Sequence, residues 1–342
     1  SVSYTVLLTS GIKRVDGSDA FAGRFGTNYE WEFEVSTVED FDPPTVVRVL
    51  PAANKTYPRN AVIQVTFSEP VDPTVIAGIV SADPAKRQSV IDVQRADRAT
   101  VSGIARVSNQ YRTVEFVTNL KCGTNSCGGD VFCLPANQTP LTVIIPTASL
   151  TTDSNDKPFV AVTPANGVVD LAGNALDGDQ GVDATTKQRI ALGPPGDNYV
   201  WQFNTSNEID LIPPRIVSIV PTRGKTNVSR LDPIEVAFSK SLRASTWDSV
   251  GAVLNAPAGK EVNTQRLFKK DAVPPTEPSL SVGLIDHDRF EPNTEYAPVI
   301  TSHVQDGNQN CYYPCAGPGC DKDDASWAAL PQYPSCPATR VP

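Results

Sequence analysis

Methionine is absent from the 342 residues, and histidine occurs only twice, as His287 and His303. Neither histidine sits in a nucleophile motif or follows a Cys-x-x-Cys, so no catalytic pair and no covalent haem attachment is indicated. Asp286-His287-Asp288 has the composition of a charge relay, but an exposed polar turn or strand end is the expected reading. No run of about 18 apolar residues occurs, so no transmembrane helix is expected. Long amphipathic helical patterns are missing too. A basic face is lacking: the formal charge is −9, and phosphate contacts need clustered Lys and Arg, so nucleic acid is not an expected partner. Neither a secretory leader nor an initiating methionine precedes Ser1, which leads us to expect a processed product or a segment of something longer. The chain is expected not to be an enzyme.

What is present is strand-forming material. Apolar residues make up 40%, and there are 30 Pro and 22 Gly. Short runs rich in Val, Thr and Ile, punctuated by turn residues, favour many short strands. Val62 to Phe67 alternates with period two, as a half-buried strand does, and Arg112 to Val117 alternates with Val114 and Phe116 on one face.

The organising signal is an internal repeat. Tyr29-Glu30-Trp31-Glu32-Phe33 returns as Tyr199-Val200-Trp201-Gln202-Phe203, a shift of 170 residues (199 − 29). Pro43-Pro44 returns as Pro213-Pro214, Pro51 as Pro221, and Lys55-Thr56 as Lys225-Thr226. After one residue of slippage, Val65-Thr66-Phe67-Ser68 is echoed by Val236-Ala237-Phe238-Ser239. A weaker strand motif links Tyr4 to Ser10, Leu141 to Thr147 and Tyr296 to Ser302. Each copy leads to an Asp-rich turn: Asp16-Gly17, Asp170-Leu171-Ala172-Gly173-Asn174 and Asp306-Gly307-Asn308. The stripe of Tyr199, Trp201 and Phe203 is expected to face a core.

Five features together resemble the bacterial immunoglobulin-like domains of surface-layer and cell-surface proteins. They are the Pro-Pro entry, the Val-x-x-x-x-Pro turn at Val46 (Ile216 in the second copy), the Val-x-Phe-Ser strand, the Asp-Leu-Ala-Gly-Asn turn at Asp170, and the Tyr-x-Trp-x-Phe closing strand. The resemblance implies an all-β protein of tandem immunoglobulin-like β-sandwiches. The boundaries then fall out of phase with the chain ends. Residues 1–37 hold the last two strands of a partial domain, and 42–206 form a complete one. Residues 212–342 form a further domain with a Cys-rich C-terminal insert and without its closing strand.

Seven cysteines fall into two loop clusters: Cys122, Cys127 and Cys133, then Cys311, Cys315, Cys320 and Cys336. Clusters of this kind in a Pro-rich β protein point to disulfides and an oxidising compartment. The four-membered cluster can pair internally in three ways and is expected to be fully oxidised. The three-membered cluster leaves one thiol over unless it pairs with another chain or with the distant cluster. Zinc is the weaker reading, because the spacings do not give two Cys-x-x-Cys knuckles.

Asp177-Gly178-Asp179-Gln180-Gly181-Val182-Asp183 puts carboxylates at alternate positions, with Asp170 and Asn174 just upstream. Hard oxygen donors on a Gly-containing loop suit calcium, although the bidentate Glu of an EF-hand loop is lacking. No cofactor beyond Ca²⁺ at this loop is expected. Four Asn-x-Ser/Thr acceptor sites begin at Asn54, Asn137, Asn204 and Asn227, in turns or strand ends.

The functional expectation is a structural or adhesive extracellular protein, a rod-like segment of a cell-surface or S-layer-like assembly with short Pro-stiffened linkers. Its partners would be copies of itself or further repeats, and a cell-surface glycan or protein. Two alternatives stand beside it. One is a filament subunit assembled head-to-tail, with Tyr29, Trp31 and Phe33 as plugs. The other is the accessory Ig-like region of a secreted hydrolase.

Overall fold

The computed structural model describes residues 2–14, 17–20, 28–76, 90–125, 127–138, 140–154, 157–179, 181, 196–259, 262–270 and 278–312. Asp183, Cys315, Cys320 and Cys336 lie outside the described residues. The chain divides into two units, residues 1–41 and 42–342. No helix among the described residues is long and apolar enough to cross a membrane.

The first unit contains an antiparallel hairpin of β1 (Val2–Leu8) and β2 (Tyr29–Val35). Tyr4 faces Phe33, Val6 faces Trp31 and Leu8 faces Tyr29 across the ladder.

The second unit opens with a two-sheet sandwich. One sheet has the order β3-β5-β8-β7, from β3 (Val46–Leu50), β5 (Ile63–Phe67), β7 (Gly103–Ser108) and β8 (Thr113–Thr118). The other has the order β4-β14-β11-β6, from β4 (Thr56–Tyr57), β6 (Asp92–Gln94), β11 (Leu141–Ile145) and β14 (Tyr199–Thr205). Small hairpins, β9 (Lys121–Thr124) with β10 (Asp130–Phe132) and β12 (Leu150–Thr152) with β13 (Pro158–Val160), decorate it. The inner faces meet in a core built on Ile63, Val65, Phe67, Val114, Phe116, Leu141, Val143, Trp201 and Phe203. The aromatic stripe of β14 thus enters the core as its period-two pattern requires. The indole N–H of Trp201 is satisfied by the Pro51 carbonyl at 3.1 Å.

A second sandwich follows with its own core. Its larger sheet has the order β15-β16-β19-β18, from β15 (Ile216–Val220), β16 (Ile234–Phe238), β18 (Thr264–Lys270) and β19 (Pro278–His287). Its smaller sheet is the pair β17 (Ala252–Asn255) and β20 (Ala297–Ile300). Trp247, fully buried, comes from a helical turn and packs between Phe238 and Phe268. The fit over Gly283 is tight, since a Cβ there would lie 2.3 Å from the Trp247 ring.

One expectation is corrected by the fold. Val62 to Phe67 reads as a half-buried strand, yet every residue of β5 is buried, and so are Thr113 to Phe116 of β8. The polar alternates Gln64 and Glu115 do face outward from the first core. The second sandwich covers them, so their face is a domain joint and not a solvated surface.

Candidate functional site: the joint between the two sandwiches

Four polar side chains of the first sandwich, together with the segment Lys240 to Asp248 and one turn of the second, build the joint. The turn is Asp306 to Asn310, a landmark of the internal repeat. Its Asp306 carboxylate accepts the backbone N–H groups of Asn308 (2.9 Å) and Asn310 (2.8 Å), which closes the loop on itself. The other repeat uses the same device, with Asp170 accepting the N–H of Asn174 at 2.8 Å and its side-chain amide at 2.8 Å. Asp and Asn favour such turns because their short side chains bond backbone groups close by.

Contacts across the joint are polar and mostly satisfied; among the described residues, Asp248 Oδ1 and Asn310 Oδ1 are its buried side-chain atoms without a hydrogen-bond partner. Asn60 is fully buried; its amide donates to the carbonyls of Asp210 and Asn308, both at 2.7 Å, and its oxygen accepts the Asp210 N–H at 2.9 Å. The Val62 N–H donates to the Gly307 carbonyl at 2.7 Å. Gln309 accepts the Phe132 N–H at 3.0 Å and donates to the carbonyls of Phe132 (2.6 Å) and Asn60 (2.9 Å). Gln64 donates to the Leu242 carbonyl at 3.2 Å and accepts the Ala244 N–H at 3.4 Å. Glu115, buried, accepts the Ser245 N–H (3.1 Å), the Ser245 hydroxyl (2.6 Å) and the Arg243 guanidinium (3.4 Å). Asn125 donates to the Gln309 carbonyl at 2.9 Å.

Two cations offset part of the carboxylate charge at the joint, Arg243 beside Glu115 and Lys240 between two aspartates. Lys240 bridges Asp210 (2.8 Å) and the fully buried Asp306 (3.2 Å). Burial pushes the Asp306 carboxyl up, against the pull of Lys240 and the Asn310 bonds. Asp248, which accepts the Asn109 N–H, is raised to about 6, chiefly by burial and further by Glu115, while the Asn109 bond and Arg266 oppose the shift.

What this arrangement can do is mechanical. Asn60, Gln64, Glu115, Asn125 and Gln309 each bond across the joint, so separating the domains breaks several hydrogen bonds at once. Exchanging each bond for one to water costs about 0.5–1.5 kcal/mol, whereas a misaligned docking that kept a group buried and unsatisfied would cost about 1–3 kcal/mol, which makes the joint specific in its geometry.

The other candidate residues fall elsewhere. Asp177 and Asp179 are brought together, and Asp197 joins them, with carboxylate oxygens within 4.8 Å of one another. Asp197 is missed by sequence reading because it lies well downstream of the Asp-Gly-Asp run. Its segment is held against the loop by the Gly178 N–H, which donates to the Asp197 carbonyl at 3.0 Å. Only glycine fits there: a Cβ on Gly178 would lie 2.2 Å from that carbonyl oxygen. This all-oxygen set could hold a hard divalent cation such as Ca²⁺. Asp170 and Asn174 are not part of that group and are engaged with each other. Cys122 and Cys133 form a disulfide, with Cα atoms 5.7 Å apart. Asn54, Asn137 and Asn227 occupy exposed positions with positive φ, whereas Asn204 is half-buried within β14. Tyr29 is half-buried, and Trp31 and Phe33 are exposed. The ring nitrogens of His287 face the carbonyls of Asp288 (2.8 Å) and Asp232 (2.9 Å), so Asp286-His287-Asp288 builds no carboxylate relay.

The fold and the joint define a protein of serial immunoglobulin-like sandwiches. The family model for the bacterial Ig-like domain matches residues 40–125 and 210–315, more than half of the chain, and the chain belongs to that family. No curated protein sequence matches it. Among solved structures, it is similar to the N-terminal part of the bacterial S-layer protein SbsC, at 11% identity and a TM-score of 0.23, over 74% of this chain and 43% of that one. A structure of SbsC domains 1–6 matches at 12% identity and a TM-score of 0.19, over 75% of this chain and 40% of that one. The chain thus spans less than half the length of these structures. Overlap at such scores is too slight to bear on fold or function.

Proposed function

We propose that this chain is a structural, non-enzymatic segment of an extracellular or cell-surface protein, in which Ig-like sandwiches are held in series at fixed relative geometry. The observation that carries the reading is the joint. A chain whose domains acted independently would have no use for burying Asn60, Gln64, Glu115 and Gln309 against a neighbouring domain. Membership of the bacterial Ig-like family and the Cys122–Cys133 disulfide support an oxidising, external location. The work of such a segment is spacing, adhesion or coat formation. Immunogold labelling of the source cells with an antibody to this chain should place it at or beyond the envelope. Label confined to the cytoplasm would refute the proposal.

A second reading, a subunit that assembles head-to-tail, has one observation in its favour. Among the described residues, the smaller sheet of the second sandwich has two strands, whereas each sheet of the first has four, and the β1–β2 hairpin has the register of β11–β14. Against it, β1 would duplicate a strand the second sandwich already owns in β20. Polymers formed by the purified chain and abolished by Trp31→Ala would establish this reading.

A further inference from the structure

The joint holds two cysteines that the Cys122–Cys133 bridge leaves out, one from each sandwich. Cys127 lies half-buried on the β9–β10 loop, and Cys311 is buried at the end of the Asp306 turn. Their segments are stitched together on both sides of the sulfur pair. Asn125, two residues before Cys127, donates to the Gln309 carbonyl at 2.9 Å, and its own oxygen accepts the Cys127 N–H at 3.0 Å. Gln309, two residues before Cys311, is bonded to both the N–H and the carbonyl of Phe132. The Cys127 sulfur sits 3.8 Å from the Ser302 carbonyl, inside the second sandwich's side of the joint. The Gln305 amide approaches the Cys311 sulfur at 3.9 Å.

We propose that Cys127 and Cys311 form an interdomain disulfide that locks the two sandwiches together. The bonds of Asn125 to Gln309 and of Gln309 to Phe132 hold the two segments side by side, and the disulfide would bring the sulfurs to about 2 Å. The environment also prepares the chemistry. The Cys127 thiol hydrogen-bonds the Cys311 sulfur, and the Gln305 amide and the Cys127 N–H add to it. Together they hold the Cys311 thiol below its usual range, against burial and the nearby Asp306.

The oxidant is a disulfide of another molecule, either a thiol oxidoreductase or a small disulfide such as oxidised glutathione. Cys127, the sulfur nearer solvent, attacks as its thiolate one sulfur of that donor, and the other donor sulfur leaves as a thiolate. The Cys311 thiolate then attacks the Cys127 sulfur of the mixed disulfide and expels the second donor sulfur. Two thiol protons are released and end on the donor sulfurs, and two electrons pass to the donor. One disulfide is formed and one is reduced to two thiols. With Cys127 and Cys311 paired, an odd number of cysteines, Cys315, Cys320 and Cys336, is left in the C-terminal insert. This pairing competes with the expectation that the four C-terminal cysteines pair among themselves.

The test is disulfide mapping of the full chain, equilibrated in a reduced/oxidised glutathione buffer, alkylated without reduction, digested and read by mass spectrometry. The expected product is a peptide containing Cys127 linked to one containing Cys311 in most of the material, alongside Cys122–Cys133. In the Cys127→Ser variant, Cys311 should become alkylatable. Finding Cys311 linked to Cys315, Cys320 or Cys336, or both Cys127 and Cys311 alkylated in the oxidised wild-type chain, would overturn the proposal.

Discussion

Asp248 shows how a single residue tunes the joint. Its carboxyl is raised to about 6 in the folded protein, above the ordinary 3.8, because burial disfavours the charge. Between those two values the folded state binds more protons than the unfolded state. Stability therefore falls as pH rises from about 4 to about 6, and the loss is complete above that window. The full difference is on the order of 3 kcal/mol. Asp306, also raised by burial, acts in the same direction. Denaturant midpoints measured from pH 4 to 7 should show this decline superimposed on the rest of the titration. Asp248→Asn keeps an acceptor for the Asn109 N–H and removes the charge, so it should flatten the slope and stabilise the protein at pH 7. A wild-type slope that survives the substitution unchanged would show that Asp248 is not its source.

At the scale of the element, one motif has two fates. In β14 the Tyr-x-Trp-x-Phe stripe is core, with Trp201 4% and Phe203 0% exposed; in β2 the same residues in the same register leave Trp31 39% and Phe33 46% exposed. Trp201→Ala should therefore cost about 3–5 kcal/mol in urea unfolding, and Trp31→Ala less than about 1 kcal/mol. Comparable losses for both would contradict the difference in burial. The strands themselves were legible because alternation and turn residues are local signals, and the 170-residue offset marked which strands correspond. The joint was not legible. Gln64 and Glu115 look like any solvent-facing alternates of a strand, since period two says only that a side chain points away from the first core. Whether water or another domain covers it is decided by residues far along the chain. The Asp306 turn was visible as a repeat landmark, but its docking against Asn60 and Val62 was not. Asp197 is hidden in the sequence for the same reason: its place beside Asp177 is set by backbone pairing with Gly178.

At the scale of the whole molecule, the largely satisfied polar network of the joint should make the two sandwiches behave as one body. Two separate cores, one around Trp201 and one around Trp247, would otherwise make two independently unfolding domains. Coupling through Asn60, Gln64, Glu115 and Gln309 should merge their transitions, since partial unfolding exposes half of every pair. Scanning calorimetry of the full chain in reducing buffer, where no disulfide contributes, measures this directly. The expected result is a single endotherm for the two sandwiches with calorimetric and van't Hoff enthalpies in agreement, split into two by Glu115→Ala combined with Gln309→Ala. Two resolved endotherms in the wild-type protein would contradict the account.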